Sequence, residues 1–199
     1  MANRHALRNV RAFRQALLRW FAREGADYPW RRTSDPYAIM ISEIMLQQTT
    51  IGAVVKNRRF ERFLDTFPNL QSLAEAPETE LLRAWEGLGY YNRVRNLQKA
   101  AQVILEEHKG VFPATPERLE ALPGVGRYTA GAVASFAFNY PAPIVDANVA
   151  RVLSRLMDWR EEIHTSQSQA KLWEWAGQLL DRAKSRSFNS ALMELGQSH

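Results

Sequence analysis

The stretch of sequence that decides the fold is Leu122-Pro123-Gly124-Val125-Gly126-Arg127-Tyr128-Thr129-Ala130. Its glycines allow a tight turn between two helices and bring backbone N–H groups close to a partner, because glycine has no Cβ atom. The helix that begins near Gly126 points its positive end out of the turn, where a phosphate can bind. The turn therefore predicts a helix-hairpin-helix that grips a nucleic-acid backbone. A turn that only joins two packed helices has the same pattern.

A second informative stretch follows the hairpin, where Pro141 precedes Asp146-Ala147-Asn148. This stretch supplies a carboxylate shortly after the hairpin, which already predicts phosphate binding. Aspartate is also a preferred helix N-cap in any protein. The spacing by itself leaves both interpretations of Asp146 open.

The composition predicts a folded protein with an anionic partner. The chain has 199 residues, of which 46% are hydrophobic and 11% aromatic, enough to bury the core of one domain or two small lobes. Its 26 Lys and Arg residues exceed its 21 Asp and Glu residues, for a net charge of +5. Residues 1–32 contain eight arginines against two acidic residues. This excess favours a polyanion such as nucleic acid.

Several classes of site are excluded or not expected. The chain has no cysteine, which excludes disulfides, thiolate catalysis and cysteine-ligated zinc or iron–sulfur centres within it. The four histidines are scattered, so we expect no metal site. No apolar run reaches the roughly 18 residues of a membrane span. We expect a monomeric, cytoplasmic protein that associates with the nucleoid and not with a membrane.

Almost every segment has helical periodicity, which predicts an all-α fold. Residues 34–140 form one predicted lobe, with the helix-hairpin-helix at about 116–138. Residues 1–33 and 141–199 form the other, and we expect a ligand-binding cleft between the two lobes. The predicted helices span about residues 6–24, 36–47, 52–66, 69–75, 78–85, 92–108, 127–138, 147–157 and 167–183. The first helix of the hairpin begins at about 115–117, and a last helix begins near 188.

The hairpin and the downstream aspartate resemble those of the helix-hairpin-helix DNA glycosylase superfamily, which includes endonuclease III. Four further motifs are similar to the MutY family of mismatch adenine glycosylases: PWR at 29–31, SEIMLQQT at 42–49, GLGYY at 87–91 and VDANV at 145–149. The resemblance extends from about residue 29 to the end of the chain. It implies an endonuclease III-like fold and a base excision repair enzyme that flips a mismatched base out of double-stranded DNA and hydrolyses its N-glycosidic bond.

The resemblance assigns the two carboxyl groups that this chemistry needs. Glu43 would be the acid that protonates a purine ring nitrogen, which requires a raised carboxyl pKa in a dry pocket. Asp146 would stabilise the oxocarbenium-like sugar and help water or a transient covalent adduct to complete hydrolysis. Asn148 would hydrogen-bond that carboxylate or the water. The alternative for Glu43 is a glutamate on an exposed helix face.

Tyr128 occupies the hairpin position where bifunctional relatives carry a lysine that forms a Schiff base. Tyrosine cannot form one, so we expect a monofunctional glycosylase without efficient strand cleavage. The other interpretation of Tyr128 is a packed aromatic side chain whose hydroxyl is bound within the protein.

The resemblance also implies DNA contacts. Gln48 and Thr49 would enter the duplex and contact the opposite purine, and Tyr90 would wedge between base pairs where its ring replaces lost stacking. The alternative for Tyr90 is a loop aromatic that anchors its lobe. The remaining expected DNA contacts are Leu88, Leu122, Gly124, Val125, Gly126 and Arg127. The expected base pocket is lined by Trp30, Arg31, Leu46 and Ser190, although Trp30 and Leu46 fit a core equally well.

Three departures from the MutY pattern concern the cofactor and the substrate. Relatives bind an iron–sulfur cluster through cysteines that begin just after the helix containing ALMELG at 191–196, and this chain has none, so we expect no cofactor. It is either a member without a cluster or a truncation. The C-terminal domain that recognises 8-oxoguanine is not among these residues. Ser190 stands where adenine glycosylases typically place Gln or Glu against the flipped adenine.

These departures leave the substrate open. We favour adenine opposite guanine or 8-oxoguanine, with thymine or uracil opposite guanine as the alternative. A hypothesis from another class is a helix-hairpin-helix module that binds DNA without catalysis. An all-α protein-interaction domain that does not bind DNA is a third.

Overall fold

The computed structural model describes residues 9–198, and within them all regular structure is helical. The predicted all-α fold is confirmed. A 3₁₀ turn at Pro29–Arg31, which the sequence analysis did not predict, adds to the helices. The α-helices are α1 Val10–Glu24, α2 Pro36–Leu46, α3 Ile51–Lys56, α4 Arg59–Thr66, α5 Leu70–Ala74, α6 Glu78–Ala84, α7 Asn92–Glu107, α8 Pro116–Glu120, α9 Arg127–Phe138, α10 Ala147–Leu156, α11 Ser166–Leu179 and α12 Ser185–Ser198.

The chain packs as two compact units. One contains residues 27–138 with α2 to α9, and the other contains residues 9–26 and 139–198 with α1 and α10 to α12. Residues 27–33, which the sequence analysis assigned to the second of these, pack with the first. No helix among residues 9–198 is long and apolar enough to span a membrane.

Helix α2 forms the centre of the larger unit. It begins at Pro36 because the Asp35 carboxylate accepts hydrogen bonds from the backbone N–H groups of the first turn, as an N-cap does. Every side chain from residue 37 to residue 45 is buried. A helix with no polar face belongs in the middle of a core, and α2 packs against α4, α7 and α9.

Helices α8 and α9 form the predicted helix-hairpin-helix, which is therefore confirmed as a structural element. Gly124 has a φ of +73°, and a Cβ atom there would lie 2.6 Å from the Cβ atom of Asn96. Both the left-handed conformation and this close approach require glycine. The turn leads directly into α9, whose first residue is Arg127.

The smaller unit is built around α12, which packs against α1 and α10, while α10 also packs against α11. Phe188 and Leu192 of α12 are fully buried in this core. Phe13 and Phe188 form a T-shaped pair, with ring centroids 6.4 Å apart. These apolar contacts fix the position of α10, whose first turn carries Asp146 at its cap.

Several predicted helix bounds are wrong or lie outside the described residues. The helix predicted at 52–66 is two helices, because Arg58 takes a left-handed conformation with φ +49°. The helix predicted to reach residue 183 ends at Leu179, and the last helix begins at Ser185 instead of near 188. The predicted start of the first helix at residue 6, like the arginines at positions 4 and 8, lies outside the described residues.

Candidate functional site

Glu43 and Tyr128 are joined by a hydrogen bond inside the larger unit. The Tyr128 hydroxyl donates to Oε2 of Glu43 over 3.0 Å. Glu43 lies on α2 with only 5% of its surface exposed, and Tyr128 is the second residue of α9. The interpretation of Glu43 as an exposed helix glutamate is therefore wrong. The Tyr128 hydroxyl is bound within the protein, and its partner is the predicted acid.

A second contact fixes the same pair of helices. The Gln47 side-chain amide at the C-terminal end of α2 donates to Oγ1 of Thr129, over 3.1 Å. The sequence analysis did not assign Gln47 a role, although it stands in the motif that carries Glu43. Two polar contacts thus set the register between α2 and α9. A glutamate is rarely buried unless its charge is paired or used, so this carboxyl group marks a candidate functional site.

Asp146 is the N-cap of α10 in the smaller unit. Its Oδ1 atom accepts from the Val149 N–H over 2.7 Å, and its Oδ2 atom accepts from the Asn148 side-chain amide over 3.0 Å. Burial raises the pKa of the Asp146 carboxyl group, while these hydrogen bonds act in the opposite direction. Asp146 is thus an oriented, half-buried carboxyl group with a capping role, and Asn148 contacts it as predicted.

Asn148 is itself held by two residues that the sequence analysis missed. Arg151 donates to Oδ1 of Asn148 over 3.2 Å and also to the carbonyl oxygen of Gly196. Gly196 packs so tightly on Asn148 that a Cβ atom at position 196 would lie 2.3 Å from the Asn148 carbonyl oxygen. The signal for Gly196 was a glycine in the interior of a helix, where it is intrinsically unfavourable.

The hairpin presents backbone, and not apolar side chains, to solvent. Gly124, Gly126 and Arg127 are exposed. Leu122 and Val125 are buried, with 3% and 6% of their surfaces exposed, and their expected contacts with DNA stay a prediction. The first turn of α9 carries the N–H groups that an α-helix leaves without intrahelical partners, the usual basis of anion binding.

Two loops carry the other predicted DNA contacts. Gln48 is exposed with φ +54°, and Tyr90 is 64% exposed with φ +46°. Thr49 is half-buried and its hydroxyl accepts from Arg93. Leu88 is buried and its carbonyl oxygen accepts from Arg93, and its expected contact with DNA stays a prediction.

Arg93 connects these two loops and was missed by the sequence analysis. It is the second residue of α7, where the positive end of the helix disfavours a cation. This unfavourable position was the available signal. Burial lowers the pKa of the Arg93 guanidinium, and Tyr90 acts in the opposite direction.

The four residues assigned to the base pocket do not all belong to one unit. Trp30 is buried, stacked on Tyr28 at 5.2 Å and edge-on to Phe60 at 5.8 Å, which makes it part of the core. Arg31 lies over the Tyr28 ring at 4.8 Å, and Leu46 is the half-buried last residue of α2. The half-buried Ser190 lies on α12, in the other unit.

No cluster of three or more metal-ligating side chains is found within residues 9–198. The iron–sulfur cluster that the resemblance implies for relatives requires thiolate ligands, and no cysteine stands anywhere in the 199 residues. The residues present therefore do not fit that cofactor.

Comparison with known proteins places this geometry in a family. Residues 41–178 match the model of the HhH-GPD superfamily base excision DNA repair proteins. The chain is 44% identical over 196 residues to the adenine DNA glycosylase of Homo sapiens, an alignment that covers 94% of this chain and 36% of that protein. The chain thus spans little more than a third of the length of that relative.

Solved structures agree with this assignment. A thermostable thymine-DNA glycosylase superposes with a TM-score of 0.83 at 31% identity, covering 94% of this chain and 86% of that one. An endonuclease III–DNA covalent intermediate superposes with a TM-score of 0.78 at 23% identity, covering 100% of this chain and 88% of that one, which supports the predicted endonuclease III-like fold. The chain, which the family model matches over more than half its length, belongs to the HhH-GPD superfamily of base excision DNA repair proteins.

Proposed function

We propose that this chain is a mismatch-specific DNA N-glycosylase that removes adenine opposite guanine or 8-oxoguanine. The observation that carries the proposal is the hydrogen bond from Tyr128 to the buried carboxyl group of Glu43. Burying a carboxyl group is costly unless it is paired, and a protein that only binds DNA does not need one in the central helix. The adenine DNA glycosylases among the relatives support adenine as the excised base.

In the proposed reaction, Glu43 protonates a ring nitrogen of the flipped purine. Tyr128 donates to Oε2 of Glu43, and we assign the acidic proton to Oε1. The N-glycosidic bond then breaks and its electron pair leaves with the base, so positive charge develops at C1′ of the sugar. General acids of this kind typically accelerate reactions about 10²- to 10⁴-fold.

Asp146 supplies the negative charge that stabilises the cationic sugar. Its orientation by Val149 and Asn148 supports this role, since an oriented group does not need to reorganise during the reaction. Water adds at C1′ and its proton is released to solvent, from which Glu43 is reprotonated, leaving an abasic site and a free base. The side chain at position 128 is a phenol and not an amine, which supports a monofunctional enzyme. Borohydride should therefore trap no enzyme–DNA adduct.

DNA would be held through its backbone. The exposed glycines and Arg127 at the start of α9 support phosphate binding by the hairpin, and the net charge of +5 supports a polyanionic partner. Phosphate contacts position a protein on DNA without reading its sequence. The choice of base therefore depends on other residues. The monomeric state and the cytoplasmic location stay predictions from the sequence.

The test is base release from end-labelled duplexes that each carry one A:G, A:8-oxoguanine, G:T or G:U pair, followed by cleavage of abasic sites in hot alkali. We expect cleavage at adenine. Glu43→Gln and Asp146→Asn should each slow release by at least about a hundredfold. Glu107→Gln, which changes an exposed glutamate at the end of α7, is the matched control. Undiminished release by both site variants contradicts the mechanism.

Thymine or uracil opposite guanine is the second candidate substrate. It is supported by the similarity to a thymine-DNA glycosylase, which extends over 86% of that structure, and by the short hydroxyl side chain of Ser190. Cleavage at T or U in the same assay would select it. If adenine is the substrate, Ser190→Gln should improve the selection of adenine, and unchanged selectivity would mean that residue 190 does not contact the base.

A further inference from the structure

The guanidinium of Arg93 is the centre of a network that ties together the two loops proposed to meet the unpaired opposite base. Its Nη1 atom donates to the carbonyl oxygens of Ile44 and Met45, each over 3.0 Å, and also to that of Gln47. These bonds satisfy carbonyls at the C-terminal end of α2, which a helix leaves without intrahelical partners. One side of the guanidinium thus fixes the point at which the 47–49 turn leaves the helix.

The other side of the same group holds the second loop. Its Nη2 atom donates to the Leu88 carbonyl over 2.9 Å, to the Gly89 carbonyl over 3.3 Å and to Oγ1 of Thr49 over 3.2 Å. The guanidinium carbon also lies 5.6 Å from the centre of the Tyr90 ring, within the range of a cation–π contact. A single side chain therefore contacts both loops.

The loop tips need such support because their backbones are unfavourable. Gln48 and Tyr90 both have positive φ, which costs residues with a Cβ atom about 1–2 kcal/mol each. Backbone conformations of this kind persist where several contacts from the surrounding structure hold them in place. The side chains at both tips are exposed, and Arg93 holds the loops through carbonyl groups next to them, those of Gln47 and Gly89.

Lysine cannot replace this arrangement. An ammonium group carries its donors on one nitrogen, whereas the planar guanidinium spreads five donors over a rigid fork. Only the fork places one nitrogen at the carbonyl groups that end α2 and a second nitrogen at the carbonyl groups of Leu88 and Gly89. The guanidinium also lies 5.5 Å from the centre of the buried Trp85 ring, which holds its plane from a further direction.

We infer that Arg93 is a positioning residue that fixes the 47–49 turn and the 87–90 loop in one arrangement, so that Gln48, Thr49 and Tyr90 meet the opposite base together. This inference rests on the proposed function, because it assigns the reading of the opposite base to these loops. It predicts that Arg93 controls discrimination between opposite bases more than it controls excision itself.

The first measurement is the ratio of single-turnover excision rates on A:G and A:C duplexes, for the wild-type protein and for Arg93→Lys. A change that only weakens the fold or the acid lowers both rates by the same factor and leaves the ratio unchanged. We expect Arg93→Lys to bring this ratio at least about tenfold closer to one, because misplacing a side chain by about 1 Å is costly in an ordered site. Arg95→Lys is the matched control, because Arg95 lies on the same helix and pairs with Glu78 instead.

The second measurement does not depend on excision. A duplex with 2-aminopurine opposite adenine reports unstacking of the opposite base by fluorescence. The wild-type protein and Arg95→Lys should raise the fluorescence, and Arg93→Lys should raise it less.

The outcomes separate the two proposals. A wild-type protein that releases no base overturns the proposed function, while the fluorescence still tests the inference. If the wild type is active and the ratio of excision rates is unchanged in Arg93→Lys, the inference alone is overturned. An equal rise in fluorescence for the wild type and for Arg93→Lys also overturns it.

If Arg93→Lys does not fold, the ratio of excision rates for Gly89→Ala tests the inference instead. Gly89 has φ +68° and open space around the position of its Cβ atom, so alanine strains only this loop. A lowered ratio then supports the inference, and an unchanged ratio overturns it.

Discussion

Replacing Gly196 with alanine should damage both the stability and the proposed activity of the protein. The new Cβ atom would lie 2.3 Å from the carbonyl oxygen of Asn148 and 2.6 Å from its carbonyl carbon. That is roughly 1 Å short of an ordinary contact. The obstacle is backbone, which cannot rotate away as the end of a side chain can. Helix α12 and the first turn of α10 must therefore separate.

Two opposing effects set the size of the loss. Alanine is favoured over glycine inside a helix by up to about 1 kcal/mol. Overpacking of a tight contact typically costs about 1–3 kcal/mol, and a clash with backbone belongs at the upper end. We expect a net destabilisation of about 1–2 kcal/mol, or a melting temperature lower by about 5 °C for a chain of this size.

The effect on catalysis should be larger than the effect on stability. Asn148 donates to the Asp146 carboxylate, so a displaced Asn148 turns that carboxylate away from its present orientation. A displacement of about 1 Å at a catalytic group can slow a reaction about a hundredfold. The assay combines thermal denaturation with single-turnover release of adenine from an A:G duplex, at a temperature where the variant is folded.

Gly177→Ala is the matched control for this substitution. Gly177 also lies within a helix, but nothing is found within 4 Å of the position of its Cβ atom. Alanine there should raise stability by up to about 1 kcal/mol and leave the excision rate unchanged. If Gly196→Ala melts at or above the wild-type temperature and keeps its rate, then the close contact with Asn148 does not constrain the site.

Three further predictions test other contacts. Tyr128→Phe removes the hydrogen bond to Glu43, worth about 1.5 kcal/mol, and should slow base release about tenfold without weakening duplex binding in a gel-shift assay; an unchanged rate contradicts the assigned contact. Burial raises the pKa of Asp146, so activity that needs its anion should fall on acidification at a pH above the usual aspartate range. If the acid limb of a single-turnover pH profile lies at or below that range, the activity does not depend on an Asp146 anion with a raised pKa. For stability the sign is opposite: the cost of the buried charge is present above the raised pKa and disappears as the pH falls through it. Arg127→Glu should weaken binding to all duplexes similarly and reduce the slope of log affinity against log salt by about 0.9, whereas selective loss on one mismatch would mean that Arg127 reads a base.

Local rules were enough to predict much of the fold. Helix α9 spans Arg127–Phe138 as predicted, because the glycine turn before it leaves few alternatives. Asp35 caps α2 through its own side chain, a contact within three residues. The burial of Glu43 was expected from the resemblance, because the acid that it implies requires a dry pocket.

The errors arise where one side chain overrides helical periodicity. The Asp181 carboxylate accepts from the N–H groups of Ala183 and Lys184, and this turn ends the helical path that the apolar pattern would have continued. At Arg58 a left-handed residue divides one predicted helix into two. Neither event changes the hydrophobic pattern.

The parts of the site that were missed depend on long-range contacts. The acceptors of Arg93 include carbonyl groups 46 to 49 positions earlier in the chain. Main-chain carbonyls carry no signature in the amino-acid sequence, because every residue has one. Leu122 and Val125 show the converse: the motif was recognised, but only the packed structure reveals that their side chains point into the core.

The left-handed backbones at Gln48 and Tyr90 bear on the engineering of this protein. Glycine adopts that conformation without the steric penalty. Gln48→Gly or Tyr90→Gly should therefore stabilise the free protein by a few tenths of a kcal/mol to about 1 kcal/mol. A library selected only for survival at high temperature would therefore enrich glycine at both tips. Such a selection would discard the two side chains that we assign to the unpaired base, and its most heat-resistant clones would be the least able to distinguish one mismatch from another.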